Sequence, residues 1–168
     1  RPLVGMRNTL MDVLFHQPFY YSNDFGGLCI LKLYHKELRD AFLHKMDTLE
    51  KHYFHDDDAW FEKTEKYYYY KLSDIPYIKK RIDMIPCVAG GMIAVMDGPI
   101  TIPPHRAEHN LYLRYHLTLE GTSTLDTEYM THEHKVGEDF VFDHSRYHKV
   151  EKTTDDRRIV VILDIKRF

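Results

Sequence analysis

Residues 110–119 alternate between two kinds of side chain, and this alternation constrains the fold more strongly than any other feature. Because successive side chains of a β-strand point to opposite faces, the pattern predicts a strand with one apolar and one polar face. The apolar face belongs in a core, whereas the polar face is either solvated or lines an interior site. The apolar positions are Leu111, Leu113, Tyr115, Leu117 and Leu119, and the polar positions are Asn110, Tyr112, Arg114, His116 and Thr118.

The segment 158–165 is apolar on both faces except at its ends, which predicts a central strand covered on both sides. Arg158 stands at its start and would face an interior. A buried guanidinium needs an anion, because an unpaired buried charge is very costly. Arg114 and Arg158 could therefore hold one dianionic small molecule between them, since the planar guanidinium matches a carboxylate with two hydrogen bonds.

The remaining pattern predicts a mainly β protein with N-terminal helices (an α+β chain) whose many short strands form a sandwich or barrel. We expect one domain over 1–168, with a helical and mixed support region at 1–90 and a β core at 91–168. Helices are predicted at 36–54 and 74–85, and further strands near 28–33, 67–70, 92–96, 125–131, 139–142 and 147–152.

Composition excludes several classes of function. The chain has 168 residues and a formal net charge of −3, so it lacks the basic surface that nucleic acid binding requires. Its two cysteines, Cys29 and Cys87, form no CxxC pair, which argues against a zinc–thiolate site. No apolar run is long enough to span a membrane and the first residues do not resemble a signal peptide, so we expect a cytoplasmic protein. The chain does not begin with Met, and a segment could precede it.

Two of the 12 histidines lie where a metal site could form. His105 follows two prolines and precedes the strand that carries Arg114. His148 lies shortly before the strand that begins with Arg158. Neutral imidazole is a common ligand of redox-active iron, so two histidines beside two arginines suit a metal and a carboxylate co-substrate.

Three ordered segments resemble the aspartyl/asparaginyl β-hydroxylase family. The first is PHRAEHNLYLRYHL at 104–117, which resembles the family's P-H-x-G-x-x-N-x-x-L-R-x-H-L. The second is FDHSRYHKV at 142–150, similar to F-D-D-S-x-x-H-x-V, and the third is RIVVILD at 158–164, similar to R-x-x-x-x-x-D. The resemblance runs from about residue 94 to 165.

This resemblance implies a double-stranded β-helix, a jelly-roll or cupin-like barrel, that uses Fe(II), 2-oxoglutarate and O₂ to hydroxylate a C–H bond. His105 and His148 would bind iron, Arg114 and His116 would hold the carboxylate of 2-oxoglutarate near the metal, and Arg158 would hold the distal one. The usual carboxylate ligand is replaced by Ala107, as the family's pattern also lacks it. Water or Glu108 would fill that position, and no other protein residue is expected to act in catalysis.

The substrate is less constrained by the resemblance. Tyr112 stands where relatives often carry a base that recognises a carboxylate, and His144 replaces the second aspartate of the F-D-D-S motif. An Asp or Asn residue in a peptide, a free amino acid or another small metabolite remains open, with Tyr112, Arg146 and Trp60 as candidate contacts. Three alternatives also remain: a non-catalytic cupin-like module that binds metal or carboxylate, a cupin iron enzyme independent of 2-oxoglutarate, and a structural β-protein with scattered histidines. The sequence predicts no oligomeric state.

Overall fold

A computed structural model describes residues 2–54 and 64–167, and the elements below belong to that part of the chain. The helices are α1 (Pro2–Phe15), α2 (His35–Lys45) and α3 (Pro76–Ile82), with short 3₁₀ helices at Ser22–Asp24, Leu28–Tyr34, Met46–Thr48 and Leu72–Asp74. The strands are β1 (His52–Tyr53), β2 (Tyr67–Lys71), β3 (Val88–Asp97), β4 (Ile100–His105), β5 (Tyr112–Glu120), β6 (Ser123–Thr127), β7 (Thr131–His134), β8 (Asp139–Phe142), β9 (His148–Lys152) and β10 (Arg157–Lys166).

The strands form two antiparallel sheets. The larger has the order β1-β2-β3-β10-β5-β8 and the smaller has the order β4-β9-β6-β7. Side chains from both sheets pack together in the space between them, including Met96 of β3, Ile102 of β4 and Val150 of β9. The predicted mainly β architecture with N-terminal helices is confirmed, although the described strands form two facing sheets rather than one closed barrel.

Strand β10 lies between β3 and β5 and is buried along most of its length, as the run of apolar residues predicts. The apolar face of β5 packs into a core with the residues of α2 and α3. The polar face of β5 therefore points between the two sheets, where His116 and Thr118 are buried. The alternation left open whether the polar face is solvated or lines an interior. The structure shows that it lines an interior.

Some local predictions are wrong. Leu28–Tyr34 is a 3₁₀ helix instead of a strand, because Leu28 and Leu31 are buried three residues apart, at the period of that helix. The helix predicted at 36–54 ends at Lys45, and β1 follows after a 3₁₀ turn. Helix α1 and strand β4 were not predicted. No helix in the described ranges is both long and apolar enough to cross a membrane. The division of the chain at residue 90 stays a prediction.

The turn between β5 and β6 gives a test of backbone fit at the start of β10. Gly121 has a φ of +77°, and a Cβ there would overlap the carbonyl oxygen of Arg157 and lie 2.7 Å from the Cα of Arg158. We expect Gly121→Ala to lower the free energy of unfolding by about 3 kcal/mol, through left-handed strain and overpacking together.

Gly98 is the matched control for Gly121. Its φ is +85°, but the nearest atom to an added Cβ is the Asp155 carbonyl oxygen at 3.9 Å. Gly98→Ala should therefore cost only the strain, about 1 kcal/mol. Chemical denaturation of both variants measures the difference. Equal losses in the free energy of unfolding would show that the close approach at Gly121 does not affect stability.

Candidate active site

A cavity of about 350 Å³ lies between the two sheets, on the polar face of β5. Arg114 and Tyr112 of β5 line it, together with Asp164 of β10 and the apolar side chains of Phe142 and Ile162. Five histidines also line it, namely His105, His109, His116, His144 and His148. The structure thus brings the two predicted metal ligands and two of the three predicted carboxylate-binding residues to one cavity.

His105 and His148 face each other across the β4–β9 pair, where they are register partners. Their ring centroids are 4.2 Å apart. The ladder is irregular between Ile102 and His105, as expected from Pro103 and Pro104, which have no N–H to contribute. The prolines and the strand ends thus position two imidazoles side by side at the rim of the smaller sheet.

The same hydrogen bond fixes each of these two rings. Nδ1 of His105 lies 2.8 Å from the carbonyl oxygen of Pro103, and Nδ1 of His148 lies 2.8 Å from that of Arg146. A carbonyl only accepts, so each Nδ1 carries the proton and each Nε2 carries the lone pair, which is the tautomer a metal ligand needs. Burial, followed by the neighbouring His105, lowers the pKa of His148 to about 4, so its ring is neutral at neutral pH.

The loops that carry the two histidines are joined by a main-chain hydrogen bond. The amide of Ala107 donates to the carbonyl oxygen of His144 at 2.8 Å. Ala107 lines the cavity without a ligating atom, whereas Glu108 is exposed and is not among the cavity-lining residues. The identity of a third ligand, Glu108 or water, stays a prediction.

Arg114 is held at the cavity wall by a carboxylate on the neighbouring strand. Its Nη2 lies 3.1 Å from Asp164 Oδ1, and the two residues are register partners between β5 and β10. The buried Nε of Arg114 has no hydrogen-bond partner among the described residues. A further donor is therefore available at the wall for an anion in the cavity.

Arg158 is buried, with 1% of its surface exposed, and no carboxylate is hydrogen-bonded to it in the described residues. Nη1 donates to Ser123 Oγ at 3.3 Å, while Nε and Nη2 have no partner in that part of the structure. Burial lowers the pKa of its guanidinium, and the charge of the Tyr67 hydroxyl and a hydrogen bond with it oppose that change. Two buried donor nitrogens of a cation thus lack an acceptor, as expected for an anion-binding group.

His116 and Arg158 are connected through two buried residues that sequence reasoning missed. His116 Nδ1 lies 2.9 Å from His134 Nε2, and His134 Nδ1 lies 2.7 Å from Ser123 Oγ. His134 is in β7 and Ser123 is in β6, so the connection depends on how β7 pairs with β6. The available signal was the alternation of His132 and His134 in β7.

His144, another residue that sequence reasoning left without a role, is 4% exposed. Burial, followed by the charges of Arg114 and His148, lowers its pKa to about 2, so the ring is neutral. A neutral ring thus lies where the family motif has an aspartate. Its buried Nδ1 has no partner among the described residues.

The candidate substrate residues are in different places. Tyr112 lines the cavity, whereas Arg146 is not among the lining residues. Arg146 Nη2 lies 3.4 Å from Asp12 and its Nη1 lies 3.8 Å from Glu128, so its guanidinium is paired outside the cavity. Trp60 lies outside the described residues.

Asp12, His16 and Asp143 form a second group with metal-ligand chemistry, since their ligand atoms lie within 4.8 Å of one another. Two arginines already balance these carboxylates, because Arg167 lies 2.8 Å from Asp143 and Arg146 lies 3.4 Å from Asp12. Asn110 also donates to Asp12, at 2.8 Å. This group is best explained as a charge-balanced link between α1, β8 and the C-terminal strand.

The Asp143–Arg167 pair should contribute strongly to stability, because each side chain is only 4% exposed. We expect Asp143→Asn to lower the free energy of unfolding by about 3 kcal/mol, the cost of leaving a buried charge unpaired. Asp164→Asn is the control, since its pair with Arg114 is about a third exposed and should contribute under about 1 kcal/mol.

The effect of Asp143 should depend on pH. Burial raises its pKa, but the hydrogen bonds from Ser145 and Arg167 outweigh burial and hold the pKa below its usual value. A carboxyl whose pKa is depressed in the folded state stabilises above its unfolded pKa of about 3.9 and loses this effect as pH falls through the folded value. Denaturation curves of the wild type and Asp143→Asn should therefore converge below about pH 4. A constant difference would contradict the ion pair.

Two facing antiparallel sheets that enclose a cavity define a jelly-roll, or cupin-type, fold. Residues 59–168 match the sequence model of the family described as aspartyl/asparaginyl beta-hydroxylase. The match covers more than half of the chain, and the chain belongs to this family.

Solved structures with low sequence identity share the fold. The DMSP lyase DddQ from Ruegeria pomeroyi is 13% identical with a TM-score of 0.55, covering 77% of this chain and 62% of that one. A structure from work on the DMSP lyases RdDddP and RnDddQII is 11% identical with a TM-score of 0.56, covering 78% and 64%. A cupin-superfamily sugar phosphate isomerase from Silicibacter pomeroyi is 12% identical with a TM-score of 0.51, covering 72% and 73%.

The chain spans under two thirds of the length of the two lyase structures. No curated protein sequence matches the chain. At these identities the structural neighbours establish the fold alone, and the predicted roles of the site residues stay predictions.

Proposed function

We propose that this protein is an Fe(II)- and 2-oxoglutarate-dependent dioxygenase of the aspartyl/asparaginyl β-hydroxylase type, which hydroxylates an unactivated C–H bond. The observation that carries the proposal is the buried Arg158, whose Nε and Nη2 have no acceptor in the described residues. Arg158 is linked by hydrogen bonds to His116 on the wall of a cavity that also contains the facing pair His105 and His148. Membership in a hydroxylase family supports the same class.

The residues of the cavity suit the groups that this reaction requires. His105 and His148 would hold the iron through Nε2, because their Nδ1 protons are donated to main-chain carbonyls. When bound, Fe(II) supplies the activation of O₂ and the oxidation of the C–H bond, and 2-oxoglutarate supplies the electrons that balance the reaction. The protein contributes binding, orientation and electrostatics.

The three predicted carboxylate-binding residues would contact different carboxylates of the co-substrate. Arg158 would take the distal carboxylate, because its fork of donors lies deep in the interior. Arg114 and His116 would take the carboxylate nearer the metal, and Asp164 orients the Arg114 guanidinium through its 3.1 Å contact. Phe142 and Ile162 contribute apolar walls to the cavity, and lower polarity near the site would strengthen each of these interactions.

The substrate is proposed only by class: an Asp or Asn residue in a peptide, a free amino acid or another small metabolite. Tyr112 could donate one hydrogen bond to it from the cavity wall. Arg146 could contact it only by leaving Asp12 and Glu128.

The test is turnover of 2-oxoglutarate by purified protein reconstituted with Fe(II) in air. We expect succinate and CO₂ in equal amounts, slowly without a substrate and faster when a panel of peptides and amino acids includes the right one. Metal and 2-oxoglutarate binding without succinate under every condition would favour a non-catalytic module. Turnover of a panel substrate without 2-oxoglutarate would favour a cupin iron enzyme of another class.

A further inference from the structure

Four buried polar side chains form one row of hydrogen bonds from the cavity wall to the interior. Arg158 Nη1 donates to Ser123 Oγ at 3.3 Å, Ser123 Oγ lies 2.7 Å from His134 Nδ1, and His134 Nε2 lies 2.9 Å from His116 Nδ1. Each of the four residues is at most 8% exposed. Bulk water therefore does not compete with these contacts, and the row is governed by the donors and acceptors that it contains.

The arginine sets the direction of the row, because a guanidinium has donors and no acceptor. Ser123 Oγ accepts from Arg158 and has one proton left, which it can give to His134 Nδ1. His134 then carries its own proton on Nε2 and donates it to His116 Nδ1. His116 in turn carries its proton on Nε2.

The charge state of the two rings agrees with this direction. Burial, followed by the neighbouring His134 and then Arg158, lowers the pKa of His116 well below the usual value. Burial, followed by Arg158, lowers the pKa of His134 in the same way, although a hydrogen bond with the Ser123 main chain opposes the change. Two neutral imidazoles can share one proton between facing nitrogens, as the 2.9 Å contact requires. The reverse direction would leave the Ser123 hydroxyl proton without an acceptor among the hydrogen bonds that Ser123 Oγ makes.

The last group in the row lies at the cavity. His116 lines the cavity, and its Nε2 is buried without a partner among the described residues. We propose that Ser123 and His134 are positioning residues that fix His116 in the Nε2–H tautomer, which makes it a hydrogen-bond donor to a bound carboxylate. The inference rests on the proposed function, since that carboxylate is the one of 2-oxoglutarate nearer the metal.

This row of hydrogen bonds would give the cavity histidines different tautomers and therefore different roles. His105 and His148 are protonated on Nδ1 by main-chain acceptors, so their Nε2 atoms can bind a metal. His116 is protonated on Nε2 by the row, so the same atom cannot bind a metal without losing its proton. Within one cavity, the hydrogen bond at Nδ1 of each ring thus decides whether its Nε2 can bind a metal or donate to an anion.

The direct test is the tautomer of each ring, measured by long-range ¹H–¹⁵N correlation on the metal-free protein labelled at histidine. We expect His116 and His134 to be neutral and protonated on Nε2, and His105 to be protonated on Nδ1. Signals are assigned from single histidine variants. A His116 ring protonated on Nδ1 would overturn the inference.

A pair of variants at position 134 tests the positioning role. His134→Leu removes the donor to His116, whereas His134→Gln keeps an amide N–H at nearly the same place. Isothermal titration of 2-oxoglutarate into the Zn(II)-loaded protein should show the dissociation constant raised about tenfold for His134→Leu and under about threefold for His134→Gln, with Zn(II) affinity unchanged. Ser123→Ala provides a second variant if His134→Leu fails to fold, and it should raise the dissociation constant and mix the His116 tautomers.

The outcomes separate this inference from the proposed function. Wild-type protein with His116 protonated on Nε2 but without affinity for 2-oxoglutarate would refute the dioxygenase proposal alone, because the tautomer assignment would stand. Wild-type protein that binds 2-oxoglutarate, with folded His134→Leu or Ser123→Ala binding equally well, would refute the positioning role alone.

Discussion

Replacing Arg158 with methionine is expected to raise the dissociation constant of 2-oxoglutarate at least about 100-fold, since a buried, charge-assisted pair of hydrogen bonds is lost. The same change should leave the ligand-free protein equally stable or more stable. Arg158 is 1% exposed and has no carboxylate hydrogen-bonded to it in the described residues, so its burial costs free energy until an anion binds. Methionine has a similar shape and no such cost. Titration of 2-oxoglutarate and chemical denaturation measure the two effects.

Arg157 is the matched control, because it is the neighbouring residue in β10 and points to the other face. Its guanidinium is paired with Glu120, at 2.7 Å from Nε. Arg157→Met should therefore leave the affinity for 2-oxoglutarate within about threefold of wild type, because its side chain lies on the face away from the cavity and its exposed ion pair contributes little. If Arg158→Met bound 2-oxoglutarate as tightly as Arg157→Met, the interior arginine would have no part in co-substrate binding.

Replacing either His105 or His148 with alanine is expected to lower the affinity for Fe(II) or Zn(II) by more than about 100-fold and to abolish succinate formation. Even loss of a group that only orients a ligand costs 10- to 100-fold in metal affinity, and loss of a ligand itself costs more. The two rings are register partners with centroids 4.2 Å apart, so each alone would offer the metal a single imidazole. Competition with a chromophoric chelator measures the affinity.

His44→Ala is the control for these variants, since His44 is exposed near the end of α2. It should bind metal as the wild type does. Equal metal affinity in all three variants would show that the histidine pair is not the metal site. The group of Asp12, His16 and Asp143 would then be the next candidate.

Much of the β core was predictable because it depends on local alternation. The two faces of β5 and the burial of β10 follow from side-chain polarity, and β8 lies at 139–142 as expected. Strand β4 was missed since Pro103 and Pro104 argue against a strand, but they occupy the irregular part of its ladder. The 3₁₀ helix at Leu28–Tyr34 was mistaken for a strand because a short apolar run fits either period.

The site was predictable only where its residues lie in motifs. The burial of Arg158 followed from an arginine at the start of a buried strand. The row through Ser123 and His134 could not be predicted, because it depends on which residues of β6 and β7 are opposite one another and on how the smaller sheet faces β5. The pairing of Arg146 with Asp12 could not be predicted either, since α1 was not predicted at all.

The hydrogen bond from the Ala107 amide to the His144 carbonyl has a consequence for how freely position 107 can vary. It joins the loops that carry His105 and His148 through main-chain atoms alone, so this link does not depend on which side chain residue 107 carries. Any residue except proline can supply that amide. If His105 and His148 hold the proposed metal, a small side chain at residue 107 would leave a third coordination position to exchangeable ligands. The main chain of residue 107 therefore joins the two loops, whereas its side chain sets how much space remains beside it in the cavity.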